Sequence, residues 1–335
     1  MKLLATLGPS SLNEKTVRQC AEHDIYLFRI NLSHTPLDEV EDTIKKIRKW
    51  TDVPICLDSE GAQLRNQNMR SGSVVFSTGA QVRIAYESIE GSEHSVSFTP
   101  YDCARQFQIG DEIRIDFGGT MIRVTDLRSD HCLAKVVHGG PVGSNKASDT
   151  DRELDLISIT EKDIGAIKIG RRMGIKNFAL SFANCADDVK AMRDLCGPEA
   201  RLISKIESRA GLKNLQEIIC ETDEILIDRG DLSRQVPLEK IPFLQRGIIS
   251  AAKAKNTPVF VATNLLETMI DTHLPTRAEL NDVVSTLLMG ADGVVLAAET
   301  AIGRYPVETV KMIRILAEEV DKWSSFATID EILNS

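Results

Sequence analysis

Short apolar runs recur along the chain, and most of them are continuous rather than alternating. Eight such runs, rich in Val, Ile, Leu and Phe, lie at 3–7, 26–30, 53–57, 178–182, 201–206, 224–227, 258–262 and 293–297. Continuous runs of this length are typical of strands that are buried on both faces of a parallel sheet. Amphipathic stretches typical of helices lie between most of them, for example at 11–24, 37–50, 161–174 and 277–290. Strands and helices in this alternation predict an α/β fold, a (β/α)8 TIM barrel.

One long segment interrupts this alternation after the third predicted strand. It contains short alternating runs, among them SVVFS, QVRIAYES and MIRVTDL, which are separated by glycine and charged residues and include no long helical pattern. Such a pattern predicts a small inserted antiparallel β-barrel domain. We therefore expect a catalytic barrel domain from residues 1–68 and 156–335, and an inserted β-domain from residues 69–155. An insertion after strand 3 belongs to the face where a barrel keeps its active site, so we expect it to act as a lid.

Composition narrows the classes of function. The 335 residues include 40 Lys+Arg against 49 Asp+Glu, and the formal net charge is −9. No excess of cations is therefore available for a nucleic-acid binder, which depends on contacts with phosphates. No apolar run approaches the roughly 18 residues of a membrane-spanning helix, and seven dispersed cysteines without a CxxC pair are typical of reduced thiols. We expect a cytoplasmic protein with neither a nucleic-acid nor a membrane partner.

Polar and charged side chains follow most of the predicted strands, at the end where the loops of a barrel converge on one mouth. They are Thr6, Arg29, Asn31, Ser33, His34, Asp58, Ser59, Glu60, Ser181, Lys205, Glu207, Asp228, Arg229, Asp231, Thr263, Asn264, Glu299 and Thr300. A barrel that needed only packing would not place so many charges there. The pattern therefore favours an active site at this mouth.

The chemistry of these residues is that of a hard cation and a phosphate. Glu207 and Asp231 offer carboxylate oxygens from neighbouring strands, which suit Mg²⁺ or Mn²⁺. Lys205 and Arg29 offer positive charge for a phosphoryl group or an enolate. A second cluster of oxygens that could hold a monovalent cation consists of Asn31, Ser33, Asp58 and Ser59. Taken singly, Lys205 and Glu207 could instead form a structural ion pair, and Asn31 and Ser33 could cap a helix.

At these positions the chain resembles the pyruvate kinase family over nearly its whole length. The matching stretches are ATLGPSS (5–11), FRINLSH (28–34), LDSEGAQLR (57–65), ISKIES (203–208), DRGDL (228–232), ATNLLETMI (262–270), PTRAE (275–279) and AAETAIGRYP (297–306). The resemblance implies transfer of the phosphoryl group of phosphoenolpyruvate to ADP, which gives enolpyruvate, then pyruvate, and ATP. In such phosphoryl transfers, positioning and charge neutralisation supply most of the rate.

The resemblance assigns roles to individual side chains around the reacting groups. Lys205 is implied to stabilise the charge of the phosphoryl group and the enolate, and Arg29 to face the phosphate. Gly230, Asp231 and Thr263 are implied to receive the substrate carboxylate, with Thr263 also at the point where the enolate is protonated. The divalent cofactor, Mg²⁺ or Mn²⁺, is implied to bind Glu207 and Asp231.

Two further sets of positions follow from the resemblance. The implied ligands of K⁺ are Asn31, Ser33, Asp58 and Ser59. The positions implied to bind the nucleotide, ADP or ATP, are Pro9, Asn31, His34, Arg65 and Lys146. Gln63 departs from the family at a position that is linked to dependence on K⁺, so K⁺ is an optional cofactor here.

Several other positions depart from the family pattern. Glu60 stands where a lysine is usual, Asn145 where the first of two lysines is usual, and Asp228 where a small apolar residue is usual. These changes remove positive charge or add negative charge, and one added unit of repulsion near a phosphate costs about 1–4 kcal/mol. We therefore expect an altered nucleotide half of the site beside an unaltered enolate half.

The resemblance covers a barrel with an inserted domain, and we expect the chain to lack the family's C-terminal regulatory domain. It leaves a homodimer open and does not carry over the family's standard tetramer. Two other functions stay open at this point. One is a Mg²⁺-dependent lyase or aldolase acting on phosphoenolpyruvate, pyruvate or another 2-oxo acid, and the other is a non-catalytic regulatory homologue.

Overall fold

Continuous apolar runs form the strands of a closed barrel in a computed structural model that describes residues 1–61, 63–116, 119–152, 154–323 and 328–334. The chain divides into two compact units, Met1–Gly61 with Ser158–Ser335 and Ala62–Ile157. The strands of the first unit, numbered along the whole chain, are β1 (Lys2–Leu7), β2 (Leu27–Asn31), β3 (Ile55–Asp58), β13 (Asn177–Leu180), β14 (Arg201–Ile206), β15 (Glu224–Asp228), β16 (Val259–Ala262) and β17 (Gly293–Leu296). The intervening strands, β4 to β12, belong to the second unit.

All eight neighbouring pairs in the barrel are parallel, in the order β1-β17-β16-β15-β14-β13-β3-β2. The prediction of a TIM barrel from the apolar runs is thus confirmed. β3 pairs directly with β13, so the barrel wall is continuous across the place where the second unit is inserted.

Helices lie between the strands of the first unit and after the last of them. They are α1 (Glu14–Ala21), α2 (Val40–Trp50), α3 (Glu161–Arg172), α4 (Ala186–Cys196), α5 (Arg209–Lys213), α6 (Leu215–Glu221), α7 (Arg229–Gln235), α8 (Ile241–Ala254), α9 (Arg277–Leu288), α10 (Ala298–Ala301), α11 (Pro306–Lys322) and α12 (Ile329–Asn334). Reciprocal capping fixes the start of α3, where Thr160 and Asp163 bond to each other's backbone N–H groups. In the described part of the chain, no helix is long and apolar enough to cross a bilayer.

The core of the first unit has an outer and an inner part. The outer part packs the strands against the covering helices. The inner part takes side chains from every strand of the barrel, and its fully buried members are Leu4, Leu27, Cys56, Ala179, Ile203, Leu226, Phe260, Ala262 and Val295. The barrel is therefore a packed core, and its chemistry is confined to the ends of the strands.

The second unit consists of short strands with its own apolar core. These strands are β4 (Arg65–Asn66), β5 (Ser73–Phe76), β6 (Gln81–Ala85), β7 (Ser95–Thr99), β8 (Glu112–Ile115), β9 (Thr120–Leu127), β10 (His131–His138), β11 (Gly140–Gly143) and β12 (Ser148–Thr150). They form a sheet in the order β12-β8-β9-β10-β6-β7-β4 and a two-stranded sheet, β11-β5. Most pairs are antiparallel, as the alternating runs predict, but β6 and β7 run parallel.

Candidate active site

Lys205 and Arg29 form a cationic centre near the carboxyl ends of the barrel strands. Lys205 lies in β14 and Arg29 in β2, and both are buried. Asp58, the last residue of β3, joins them. Its Oδ2 is 2.9 Å from Arg29 Nη1 and 3.5 Å from Lys205 Nζ. Side chains from three strands therefore share one buried charge network.

Further carboxylates surround the Lys205 ammonium. Its Nζ lies 2.8 Å from Glu207 Oε1 and 3.6 Å from Asp228 Oδ2. Glu207, Asp228 and Asp231 each place a carboxylate oxygen within 4.8 Å of the other two. Glu207 is fully buried and Asp228 almost so, whereas Asp231 is partly exposed. Arg234 Nη1 also lies 3.5 Å from Asp231 Oδ1. The three carboxylates thus converge on one point of the mouth, which suits a bound cation.

The donor set fits a divalent ion of the hard class. The three side chains offer only carboxylate oxygens, which Mg²⁺ and Mn²⁺ prefer. Glu207 Oε1 accepts no aligned hydrogen bond, although the Lys205 ammonium is close to it. Its other oxygen accepts a hydrogen bond of 2.6 Å from the backbone N–H of Phe182, which fixes the carboxylate. The two predicted ligands, Glu207 and Asp231, thus lie together, and Asp228 is a third carboxylate beside them.

Thr263 and Gly230 meet around the carboxylate of Asp228. The Thr263 hydroxyl donates to Asp228 Oδ1 at 2.7 Å, and the Gly230 N–H donates to the same oxygen at 3.2 Å. A Cβ at residue 230 would lie 2.8 Å from Thr263 Cγ2, so a larger residue there would displace the Thr263 side chain. Thr263 itself has a φ of +76°, a left-handed conformation that a β-branched residue rarely adopts.

Arg229 supports this strained backbone. Its Nη2 donates to the carbonyl of Thr263 at 2.7 Å, and its Nη1 pairs with Asp282 at 2.7 Å. The guanidinium thereby fixes the loop after β16 to helix α9. Strain of this kind persists only where surrounding contacts enforce it, and it is frequent at functional sites.

The proximity of these charges shifts their pKa values. Burial alone would lower the pKa of Lys205, but the carboxylates of Asp58, Glu207 and Asp228 raise it above its usual value, so the ammonium stays charged. Burial raises the pKa of Glu207 to about 8, against the opposite pull of Lys205. For Asp228, burial is outweighed by Lys205 and by the Thr263 hydrogen bond, and its pKa is lowered. A bound cation would favour ionisation of Glu207.

The residues of the predicted K⁺ site lie at the ends of two paired strands or just after them. Asn31 in β2 and Asp58 in β3 are register partners. Asn31 Oδ1 accepts the N–H of Ser33 at 2.9 Å, so it also caps the local turn. Ser59 Oγ accepts the N–H of Ser181 at 2.9 Å. The structure brings these oxygens to one edge of the barrel, and K⁺ binding there stays a prediction.

The residues predicted to bind the nucleotide are divided between the two units. Pro9, Asn31 and His34 belong to the barrel, where Pro9 and His34 are exposed. Arg65 and Lys146 belong to the second unit, in which Lys146 Nζ pairs with Asp116 at 3.2 Å and Arg65 Nη1 donates to the carbonyl of Asn145 at 3.1 Å. Their role in nucleotide binding stays a prediction.

Two departures from the family pattern act differently from what the sequence suggested. Glu60 lies 3.6 Å from Lys162, so a neighbouring cation offsets its added charge. Asp228 bonds to Thr263 and lies beside Lys205, two residues predicted for the enolate half of the site. Residue 228 therefore ends β15 beside the predicted enolate residues, and the expectation of an altered nucleotide half beside an unaltered enolate half stays a prediction.

Ser181 and Glu299 stand at strand ends, but the sequence alone assigns them no role. Ser181 accepts a hydrogen bond from Lys205 at 3.1 Å and donates to the carbonyl of Ser59 at 2.7 Å, so it positions both. Buried Glu299 accepts the backbone N–H groups of Leu265 and Ala297, which fixes the loop after β16. Their positions after strands were a signal, but their partners depend on pairings between distant parts of the chain.

Comparison with known proteins adds an independent finding. A family model described as the barrel domain of pyruvate kinase matches residues 1–310. The chain is 33% identical to the pyruvate kinase of Thermotoga maritima over 334 residues, 97% of this chain and 72% of that protein. It is also 33% identical to the pyruvate kinases of Corynebacterium efficiens and Mycobacterium tuberculosis, in each case over 94% of this chain and 69% of the relative.

Proposed function

Because the chain belongs to the pyruvate kinase family, we propose that it transfers the phosphoryl group of phosphoenolpyruvate to ADP and releases pyruvate and ATP. One observation carries the proposal. A buried lysine ammonium, that of Lys205, lies 2.8 Å from Glu207 in a cluster of carboxylates that fits a divalent ion. An enolate and a transferring phosphoryl group are both anions, and fixed positive charge in a water-poor site stabilises them best.

Different side chains bind the metal ion, the phosphoryl group and the enol oxygen. Glu207 and Asp231 would hold Mg²⁺ or Mn²⁺, which when bound would neutralise oxygens of the substrate. Arg29 orients the phosphoryl group, and Asp58 fixes Arg29 through the 2.9 Å ion pair. The bond from phosphorus to the enol oxygen breaks as an oxygen of ADP attacks phosphorus, and the electron pair stays on the enol oxygen. Lys205 stabilises that oxygen.

The second half of the reaction delivers a proton to carbon. The enolate takes up this proton at its methylene carbon, which becomes the methyl group of pyruvate. Thr263 stands in the loop after β16 and donates its hydroxyl proton to Asp228 at 2.7 Å. We therefore assign its oxygen lone pairs to hold, at this carbon, the solvent molecule that delivers the proton.

The nucleotide part of the proposal rests on Pro9, Asn31 and His34 in the barrel, and the roles of Arg65 and Lys146 stay predictions from the resemblance. Pairing of Glu60 with Lys162 removes part of the repulsion that a phosphate would meet. K⁺ is proposed as an optional cofactor at Asn31, Ser33, Asp58 and Ser59. A cytoplasmic location and the oligomeric state stay predictions.

A coupled assay tests the proposal directly. Purified protein with Mg²⁺, phosphoenolpyruvate and ADP should form pyruvate and ATP in equal amounts, and parallel reactions with and without K⁺ measure its contribution. Lys205→Met should abolish both products, whereas Lys190→Met, at an exposed lysine of α4, should leave them unchanged. Absence of turnover with every nucleoside diphosphate tried would contradict the proposal.

A second candidate is a Mg²⁺-dependent lyase or aldolase that acts on a 2-oxo acid. Asp228 favours it, because a carboxylate bonded to Thr263 and close to Lys205 suits proton transfer to and from an enolate without any phosphoryl group. This function predicts exchange of the methyl protons of pyruvate with D₂O in the presence of Mg²⁺ alone. Exchange that requires nucleotide or phosphate would exclude it.

A further inference from the structure

Thr263 has a single hydroxyl proton, and its hydrogen bonding shows where that proton goes. Its Oγ1 lies 2.7 Å from Asp228 Oδ1, and an ionised carboxylate only accepts hydrogen bonds. The hydroxyl therefore donates to Asp228 and keeps only its lone pairs for a ligand. Lys205, 3.6 Å from the other oxygen of Asp228, holds the carboxylate in this orientation.

This arrangement depends on residue 228. An apolar side chain at this position would accept no hydrogen bond and would leave the Thr263 hydroxyl able to donate to a substrate carboxylate. The side chain of Asp228 is 12% exposed, so its charge is poorly screened by water. A second carboxylate placed against Thr263 would lack a donor and would meet a like charge.

We propose that Asp228 is a specificity-determining residue that turns Thr263 into a hydrogen-bond acceptor. The site then selects, beside Thr263, a ligand group that donates a hydrogen bond, such as an amide or a hydroxyl, over a carboxylate. The inference rests on the proposed function, because Thr263 is a substrate contact there. It follows that Asp228 weakens binding of phosphoenolpyruvate, and that the effect falls on KM more than on kcat.

Equilibrium binding of two small probes tests the inference. Oxalate carries two carboxylates, and oxamate carries an amide in place of one of them. Calorimetry at saturating Mn²⁺ measures the affinity of each probe for the wild type, Asp228→Asn and Asp228→Ala. The asparagine retains an oxygen that accepts from Thr263 and Gly230 but has no charge, whereas alanine frees the hydroxyl as well.

The expected order of oxalate affinity is wild type weakest, Asp228→Asn intermediate and Asp228→Ala tightest. Oxalate affinity should increase about ten-fold or more from the wild type to Asp228→Ala, because a hydrogen bond to a charged group contributes a free energy of that size. Oxamate affinity should change by less than about three-fold. The KM for phosphoenolpyruvate should fall in the same order as the oxalate dissociation constants.

Controls separate this role from a structural one. Asp228 also caps α7, so Asn13→Ala, which removes the capping side chain of α1, is the matched control and should leave oxalate affinity unchanged. Thermal melts and a titration with Mn²⁺ alone are recorded for every variant. A variant that binds Mn²⁺ less tightly but oxalate as the wild type does would overturn the inference, since Asp228 would then act as a metal ligand.

The binding data also distinguish failure of this inference from failure of the proposed function. Equal oxalate affinity in the wild type and in Asp228→Ala overturns the inference, whether or not pyruvate is formed. Oxalate binding in the expected order without formation of pyruvate supports the inference and contradicts the proposed function.

Discussion

Replacement of Lys205 by methionine should destabilise the metal-free protein severely. The ammonium is buried 2.8 Å from Glu207, 3.5 Å from Asp58 and 3.6 Å from Asp228. At an effective dielectric constant of about 20, each contact corresponds to about 5–6 kcal/mol of gross attraction. Desolvation cancels most of that, and loss of one partner from a buried pair costs about 3–5 kcal/mol. Asp58 keeps its ion pair with Arg29, and Glu207, whose pKa burial raises to about 8, takes up a proton, so the uncompensated charge falls on Asp228.

The assay is denaturant unfolding of the metal-free protein, followed by the same titration at increasing Mn²⁺. A divalent ion supplies the positive charge that the variant lacks, so Mn²⁺ should raise the free energy of unfolding more in Lys205→Met than in the wild type. Catalysis should not return, because the ion does not replace the ammonium at the enol oxygen. Lys190→Met, which removes an exposed lysine paired with Asp187, is the matched control and should change stability far less.

Either of two results would refute a stabilising role for this charge network. If the free energy of unfolding of metal-free Lys205→Met is within about 1 kcal/mol of that of the wild type, the ammonium does not stabilise the surrounding carboxylates. If Mn²⁺ stabilises both proteins equally, the ion does not bind among the carboxylates that surround Lys205.

Three further predictions follow from the same geometry. Gly230→Ala should lower kcat/KM about ten- to a hundred-fold, because the new Cβ would lie 2.8 Å from Thr263 Cγ2 and displace the hydroxyl; steady-state kinetics checks this, and unchanged values would contradict it. Arg229→Gln should lower kcat and reduce stability by about 1–3 kcal/mol, since the carbonyl of Thr263 and the carboxylate of Asp282 lose their partner; Arg229→Lys should restore only part of both. Because burial raises the pKa of Glu207 to about 8, its contribution to stability is present below its unfolded pKa and is lost as pH rises towards 8. Thermal melts of the metal-free protein between about pH 5 and pH 9 should show this decline in stability, and the decline should be smaller in Glu207→Gln. The affinity of the wild type for Mn²⁺ should increase over the same pH range.

The barrel was predictable because its strands are buried on both faces. Runs such as 258–262 and 293–297 cannot be exposed on either side, and the parallel sheet follows from that. In the second unit, alternation predicted the strands, but it could not reveal that β6 and β7 run parallel, since pairing direction leaves no mark on periodicity.

The active site was predictable only in part, for a similar reason. Lys205, Glu207 and Asp231 stand at strand ends, where barrel geometry makes them neighbours. The direction in which Thr263 donates its hydroxyl proton could not be predicted in this way, because it depends on a 2.7 Å contact between the ends of β15 and β16. No spacing in the sequence encodes such a contact, so Asp228 read as one more negative charge near the phosphates.

The direct pairing of β3 with β13 has a consequence for synthesis of the protein on the ribosome. The first three strands emerge in succession, but β3 finds its second neighbour only after the whole inserted unit has been made. At about 5–20 residues per second, this strand edge stays open for roughly ten seconds, during which it could pair with other nascent chains. Asp58 and Ser59 stand at that edge, and their partner Ser181 follows β13. We therefore expect the nascent chain to complete its catalytic centre only after this gap has closed and the later strands have joined the barrel.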